Sequence, residues 1–470
     1  MLYVAVKYSA FLSAAHRPLN QHLLKASPVI HKPVRESPSP HKFSTRPETY
    51  GSECDRTNKC HNSTPIHLRD IQKKLELPTP YKHIACGIDQ TIFDITITGV
   101  DDSVLAKLGL QKGQSQLINQ NQSEQLERLI NNNKKACVEN AGGTIGNTLH
   151  NTSVLSGAST TLFGVISEAL PGNRAFHYLR NSFNGMNLND LCLIQGGQIG
   201  CAYTLISNDS ERTFGVSLGD VNQLAAEAIK ASVIKESSCL IMSAYPLADE
   251  SQPIYAASQR AVELAHQYHK PIIMTLGSAN LVQHMTTELQ NYLSKHIMVA
   301  AMNGDEAQAL TGKRDIPAAA MKVLDYTDLA LITDGKNGLY FCGYIDRPYA
   351  FQPYEYQNNG CDPEQIIKIN ECTNNYPALK KNCLSPYKIV CHEPACMINR
   401  DMTVNTNGAG DAAMSALIHC LRISDNPFSP DNKGSALPLT HTTFSETAMY
   451  ANRVSKQVVQ QVSPRLLKAL

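Results

Sequence analysis

From residue 83 onward, short apolar runs alternate with longer segments whose apolar residues recur at helical spacing, and that rhythm leaves few folds open. Strands are expected at 160–166 (TTLFGVI), 238–243 (SCLIMS), 271–276 (PIIMTL), 297–302 (IMVAAM) and 328–333 (DLALIT). Between them, 221–232, 254–268, 282–294, 305–311 and 317–325 read as helices. Strands this short and this continuously apolar suit a sheet buried on both faces. The expectation is an α/β fold, with helices on either side of a mostly parallel central sheet.

Three regions break the rhythm. Residues 95–120 and 198–218 alternate with period two and read as hairpins, suited to a small β lid over one end of the sheet. Residues 343–400 are polar and contain Pro and Cys, and read as an insertion with short strands only. Residues 1–82 are rich in Pro, Ser, His, Lys and Asn without periodicity, and are expected to be a disordered tail. The 42% of hydrophobic residues is ample for the large core of a domain over 83–470. A net charge of +1 gives no electrostatic reason to expect nucleic acid or an acidic membrane as partner. No apolar run reaches the roughly 18 residues of a membrane span. The first 18 residues make a poor export signal, because Lys7 interrupts the apolar part. The 14 cysteines contain no C-x-x-C pair, which argues against a zinc knuckle and for a reducing, cytoplasmic setting.

Five short stretches could carry chemistry. "NTNGAGDAAM" (405–414) puts Gly408, Ala409 and Gly410 before an apolar helix, with Asp411 in its first turn. Small residues there let an anion approach the unpaired amides of the helix start, and Asp411 could then take a proton from an attacking hydroxyl. The structural alternative is a cap at Asn407, with Asp411 complementing the dipole. "AGGTIGNTLHN" (141–151) offers a Gly142-Gly143 hinge and Asn147, whose amide suits a vicinal diol. A glycine turn and a surface Asn would explain it equally. "GIDQTIFDI" (87–95) reads as a strand ending at Asp94, in the crevice where open α/β sheets bind ligands. In "MNGDEAQALTG" (302–312), Asn303 and Glu306 match a capping box; alternatively Glu306 orders water around Mg²⁺. "ITDGKNGLYF" (332–341), with Thr333 and Gly335, signals a turn.

In this order and spacing, GIDQTIFD, AGGTIGNT, NGDE, ITDGKNG and TNGAGD resemble the motifs of the ribokinase/PfkB carbohydrate-kinase family over about residues 83–466. The most specific is TNGAGD, close to the family's T-x-G-A-G-D. The longer stretches GGTIGNTLHN, ERTFGVSLGDVNQL, NTNGAGDAAMSALIH and YANRVSKQVVQQVSPRL are similar to the branch that phosphorylates inosine and guanosine. The resemblance implies a ribokinase-like three-layer α/β/α fold with a β lid. It also implies ATP-dependent phosphorylation of a purine nucleoside 5′-hydroxyl, in purine salvage. Asp411 would be the general base, and Gly408, Ala409 and Gly410 the anion hole. Asp94 and Asn147 would clamp ribose, with Gly142 and Gly143 as the hinge. Thr333, Gly335 and Asn452 would contact ATP, while Asn303 and Glu306 would organise Mg²⁺ indirectly. A homodimer is compatible with the family. K⁺ is a further possible cofactor, but Asn405 stands where the family carries an acid and lacks its charge. Other family substrates, a ribosyl or sugar hydroxyl, and a nucleoside-binding regulator without turnover are the alternatives; the intact Asp411 argues against the last.

Overall fold

Each central strand divides its residues between two cores. Leu240 and Met242 face one, Ile241 the other; Ile272 and Met274 oppose Ile273, and Ala330 and Ile332 oppose Leu329 and Leu331. That two-sided burial requires helices on both faces. The computed structural model of the 470-residue chain describes residues 83–132, 137–170, 172–182, 185–209, 211–346, 367–368, 386–396, 406–420 and 441–468. All lie within Pro65–Leu470, one of two units into which the chain divides. The expected tail falls outside the described residues.

The strands are β1 (His83–Ile88), β2 (Ile92–Val100), β3 (Ser115–Leu117), β4 (Cys137–Ala141), β5 (Ser159–Ser167), β6 (Met186–Asn187), β7 (Leu191–Ile194), β8 (Gly200–Ser207) and β9 (Arg212–Ser217). After them come β10 (Leu240–Ser243), β11 (Ile272–Thr275), β12 (Val299–Asn303), β13 (Leu329–Thr333), β14 (Leu339–Asp346), β15 (Ile367–Lys368) and β16 (Pro386–Glu393). The main sheet runs β15-β16-β14-β13-β12-β11-β10-β1-β5-β6, with β7 also on β5. It is parallel from β6 to β13 and antiparallel where β14, β16 and β15 extend its edge.

The α-helices are α1 (Asp102–Leu108), α2 (Gln120–Asn132), α3 (Thr144–Ser156), α4 (Arg174–Ser182), α5 (Ala231–Glu236), α6 (Pro253–Gln267), α7 (Ala279–His284), α8 (Thr286–His296), α9 (Gly304–Thr311), α10 (Ile316–Val323), α11 (Ala409–Cys420) and α12 (His441–Val459). Apolar residues of α3, α11 and α12 fill one core; those of α5 to α10 fill the other. The three-layer α/β/α expectation holds.

The lid is a five-stranded sheet, β3-β9-β8-β2-β4. Residues 198–218 supply the antiparallel pair β8–β9 as expected. Residues 95–120 do not form a hairpin: α1 follows β2 directly, with Leu105 and Leu108 buried, and β3 pairs parallel with β9. Period two marked strand residues, but burial of the Leu pair turned the intervening segment into a helix. The helix expected at 221–232 is also absent. A turn is followed by a single 3-10 turn at Ala226–Ala228, and α5 begins only at Ala231. Leu224 and Ile229 are both drawn into the core from extended neighbours, which overrides the Ala-rich propensity. The segment expected as one helix over 282–294 breaks at Met285 into α7 and α8. Both ends of the supposed insertion, 343–346 and 386–393, belong to the paired strands β14 and β16. Most of the stretch between them lies outside the described residues.

Candidate active site

The strand order turns at β1, which has β5 on one side and β10 on the other, so a crevice opens at the carboxyl ends of these strands. Asp89, just beyond β1, is buried there. It accepts from Ser243 Oγ at 2.6 Å, at the end of β10, and from the Ile145 amide at 3.4 Å in the first turn of α3. Burial pushes its carboxyl up to about 6.

Asp94 reaches the crevice by another route than expected. It does not end a main-sheet strand but sits on lid strand β2, opposite Asn140 and Ala202. The Gly142 amide bonds Ile92 O at 3.0 Å, and a β-carbon at 142 would stand 2.2 Å from the Asp94 carboxylate. Only glycine fits. Gly143 has φ +80°, and a β-carbon there would come within 3.0 Å of Gln90 O. Desolvation pushes Asp94 up to about 7 against the pull of Arg465.

Immediately after this pair, α3 carries Asn147, 3% exposed. Its Nδ2 donates to Asp411 Oδ2 at 3.0 Å, joining residues 264 apart in sequence. Asp411 lies in the first turn of α11. Its side chain thus serves a partner outside its own helix, which a simple capping role does not explain. Burial raises it to about 7; the Asn147 bond and Arg465 lower it, while Asp94 and Asp89 raise it. Gly408 has φ +78°, and a β-carbon there would fall 2.4 Å from Pro464 O. The Ala409 amide turns back toward Thr406 O at 3.4 Å. The amides of Gly410 and Asp411 belong to the helix start, where intrahelical partners are lacking. Nothing lies within 4 Å of a β-carbon placed at Gly410. Donors with open space above them suit a phosphoryl oxygen.

The other end of the crevice is built from β12 and β13, which pair Asn303 with Thr333. The capping box is complete. Glu306 N bonds Asn303 Oδ1 at 2.9 Å, Asn303 N bonds Glu306 Oε2 at 3.1 Å, and Asn303 Nδ2 donates to Oε1 at 2.7 Å. Glu306 is buried and its carboxyl is pushed up to about 7. The phenol of Tyr245, beyond β10, is raised by burial and then by the charges of Glu306, Asp89 and Asp411, so the two ends share one electrostatic field. Among the described residues, no cluster of three or more His, Cys, Asp or Glu could hold a metal. Both oxygens of the Glu306 carboxylate are engaged by Asn303, so the capping box accounts for the contacts it makes. Thr333 leads into an exposed turn at Gly335 (φ +49°). Asn452 lies on α12. It is 7% exposed and donates to Pro394 O at 2.5 Å, and the 393–395 backbone in turn packs against Gly338. Asn405 lies outside the described residues.

Three further residues contact the elements of this candidate site and do not stand out in the sequence. Asp89 was passed over for Asp94, because the apolar run was read through to residue 94 as one strand. Arg212 lies on β9 across from Ile206, which pairs with Thr98 on the same lid face as Asp94. Its guanidinium donates to the Thr406 hydroxyl at the head of the glycine loop. Its position in the alternating stretch "ERTFGVSL", directly after Glu211, was the available signal. Arg465, 4% exposed, donates to Asn147 Oδ1. No periodicity marks it, because α12 ends at Val459 and Arg465 lies beyond it in irregular backbone.

Comparison with known proteins matches residues 118–358 to the model of the pfkB family carbohydrate kinases. The guanosine-inosine kinase of Escherichia coli K12 is 36% identical over 391 residues, 82% of this chain and 88% of that protein. Among solved structures, adenosine kinase from Sinorhizobium meliloti superposes with a TM-score of 0.59 at 19% identity, covering 83% of this chain and 97% of that one. Adenosine kinase from Schistosoma mansoni in complex with 2-fluoroadenosine gives 0.56 at 17%, covering 83% and 98%. At these identities the structures speak to the fold.

Proposed function

The chain belongs to the pfkB family of carbohydrate kinases, and from that premise we propose an ATP-dependent purine nucleoside kinase that phosphorylates the 5′-hydroxyl of inosine and guanosine. The observation that carries this reading is the Asn147–Asp411 hydrogen bond. It ties the element suited to a ribose diol to the acid at the phosphoryl-transfer loop, so an acceptor held by the first is presented to the second. Asp94 and Asn147 hold the ribose hydroxyls, and Gly142 allows the carboxylate to approach. Asp411, with its carboxyl near 7, takes the 5′-hydroxyl proton as that oxygen attacks the γ-phosphorus.

Amides at the start of α11 receive the charge developing on the transferred group. Arg212 brings a cation from the lid to the same loop, so closing the lid completes the site and excludes water. Thr333 and Gly335 would hold ATP, and the Mg²⁺ that accompanies it would supply charge neutralisation, with Asn303 and Glu306 organising it indirectly. Asn405, in place of an acid, implies little dependence on K⁺.

The test is ADP release with inosine, guanosine, adenosine, ribose and fructose, each with and without K⁺. Inosine and guanosine should give the highest kcat/KM. A free sugar turned over faster than any nucleoside would overturn the assignment, and tight nucleoside binding without ADP release would make the protein a binder.

A further inference from the structure

We propose that Arg465 is a positioning residue of this reaction, its guanidinium fixing the orientation of Asn147 between the nucleoside and Asp411. The proposal rests on the reading that Asn147 and Asp411 act on the nucleoside. Three hydrogen bonds place the guanidinium: Nε to Asn147 Oδ1 at 2.9 Å, one terminal nitrogen to Ser182 Oγ at 2.6 Å, and the other to Gly142 O at 3.1 Å. The ring of Tyr178 lies beneath it, 5.5 Å from centroid to guanidinium carbon.

Arg465 therefore touches the residue that backs Asp94 and the residue that touches Asp411. An Asn side chain can present either its oxygen or its nitrogen to a partner, but arginine only donates. Arg465 thus claims the Asn147 oxygen and turns the NH₂ group toward Asp411. One of its hydrogens serves that carboxylate, and the second remains for a ribose hydroxyl.

The backbone around Arg465 is held from both sides. Pro464 packs against Gly408. The Leu466 amide donates to Asn151 Oδ1 at 2.8 Å, and Leu466 O meets His150 Nε2 at 3.1 Å. Residues 464–466 thereby sit between the glycine loop and α3, touching both halves of the reaction site.

A buried guanidinium is costly unless compensated. None of the three acceptors named above is a carboxylate. The charges that balance it are those of Asp94 and Asp411, each of which it favours in ionised form. Tyr178 and His150 also lie in its field, Asp89 acts on Asp411, and the imidazole of His150 is pushed down to about 4 by burial and by Arg465. Losing the cation should make Asp411 harder to ionise, moving the acid limb of the rate profile to higher pH.

The experiment uses the full chain with Arg465→Gln, Arg465→Lys, Asn147→Ala and the Arg465→Gln/Asn147→Ala double variant. It follows kcat, KM for inosine and ATP, melting temperature, and kcat against pH. Misplacing an acceptor by about 1 Å costs on the order of 10²-fold, so Arg465→Gln should lose about that in kcat, with KM for ATP little changed. Its acid limb should rise by about one pH unit. Arg465→Lys keeps the charge without the three-way fork, so its limb should stay in place while kcat remains reduced. In the Asn147→Ala background, Arg465→Gln should cost much less than alone. A folded Arg465→Gln enzyme with a wild-type limb and a third or more of kcat would overturn the proposal. Equal losses in both backgrounds would also overturn it, reducing Arg465 to a structural part. If Arg465→Gln does not fold, Arg465→Lys decides: near wild-type kcat means the fork does not position Asn147. Full activity in Asp411→Asn would instead sink the kinase mechanism itself, and the two failures are distinguishable.

Discussion

The two ends of the crevice are built on different principles. At the nucleoside end, side chains from distant parts of the chain bond one another: Asp89 with Ser243, Asn147 with Asp411, and Arg465 with Asn147 and Gly142. None of these bonds is a helix cap or a turn, and they leave Asp94 and Asp411 in the field of one buried cation, with the charge of Asp89 also acting on Asp411. At the nucleotide end, each feature has a complete local explanation. Asn303 and Glu306 cap α9, Gly335 and Gly338 shape a turn, and Asn452 ties α12 to Pro394. On the proposed reading, the nucleoside end is thus organised in advance around an acceptor. The nucleotide end supplies backbone turns and open space, as suits a ligand that brings its own charge and metal. Variants at the first should damage catalysis far more than variants at the second.

The most severe test of that contrast is Asp411→Asn. Were Asp411 only a helix-start acid, the change would be almost silent, because the dipole contribution is at most about 1 kcal/mol and Asn is nearly isosteric. As general base its loss removes proton acceptance, typically worth about 10²–10⁴ in rate. We expect a fall in kcat of that size, affinities within a few-fold of wild type, and at pH 6, where Asp411 is largely protonated, an unchanged melting temperature. Retention of a tenth of kcat, with chemistry shown to limit the rate, would return Asp411 to a structural role. In the wild type, kcat/KM should fall as pH drops below about 7, since Asp411 and Asp94 both take up protons there.

Next in size is Asp94→Ala. It removes a charged hydrogen bond to ribose, about 1.5–3 kcal/mol, or roughly 10- to 150-fold in kcat/KM for the nucleoside. KM for ATP should barely move. Deoxynucleosides lacking the 2′- or 3′-hydroxyl should show a similar loss with the wild-type enzyme. Equal turnover of ribosides and deoxyribosides would break the clamp.

The carboxylates also leave a mark on stability. Asp89 is raised to about 6, and Asp94, Asp411 and Glu306 to about 7. The folded chain therefore holds these protons more tightly than the unfolded one. Their contribution to stability is greatest below the unfolded values near 4 and is lost as pH rises through 6 and 7. The nucleoside-free protein should melt at a lower temperature at pH 8 than at pH 6, and Asp411→Asn should reduce that difference. A melting temperature that rises across this interval would mean that the three acids of the nucleoside end are not held as described.

How far the site was legible follows from the same contrast. Central strands and most helices declared themselves by period and by two-sided apolarity, so the layers could be read directly. The glycine loop, Gly142-Gly143 and Asn147, which the structure brings together, stood out because small residues beside a helix start leave a local pattern. Asp89 and Arg465 were not, since their roles arise from contacts with Ser243 and with Asn147 and Ser182, which no spacing encodes. Asp94 was found by a wrong route: its strand belongs to the lid, and β1 already ends at Ile88. The 221–232 segment failed because Ala-rich propensity is weak beside the burial of Leu224 and Ile229.

The smallest effect expected is at Glu306, where the two explanations of one residue can be separated. Gln keeps the acceptor that closes the capping box and loses only the one that takes Asn303 Nδ2, so Glu306→Gln should leave the start of α9 formed and lower the melting temperature by a small amount. If capping is the whole role, the Mg²⁺ concentration needed for half-maximal rate is unchanged as well. If the carboxylate orders water on nucleotide-bound Mg²⁺, that concentration should rise several-fold while KM for inosine stays put. The buried acid also sets the pH at which this shows. With its carboxyl near 7, Glu306 is largely protonated at pH 6 and already resembles Gln. The variant should therefore differ from wild type at pH 8 and converge with it at pH 6. A Mg²⁺ requirement identical in both proteins at pH 8 would leave Glu306 a cap and nothing more, and would make the nucleotide end wholly structural in its side chains.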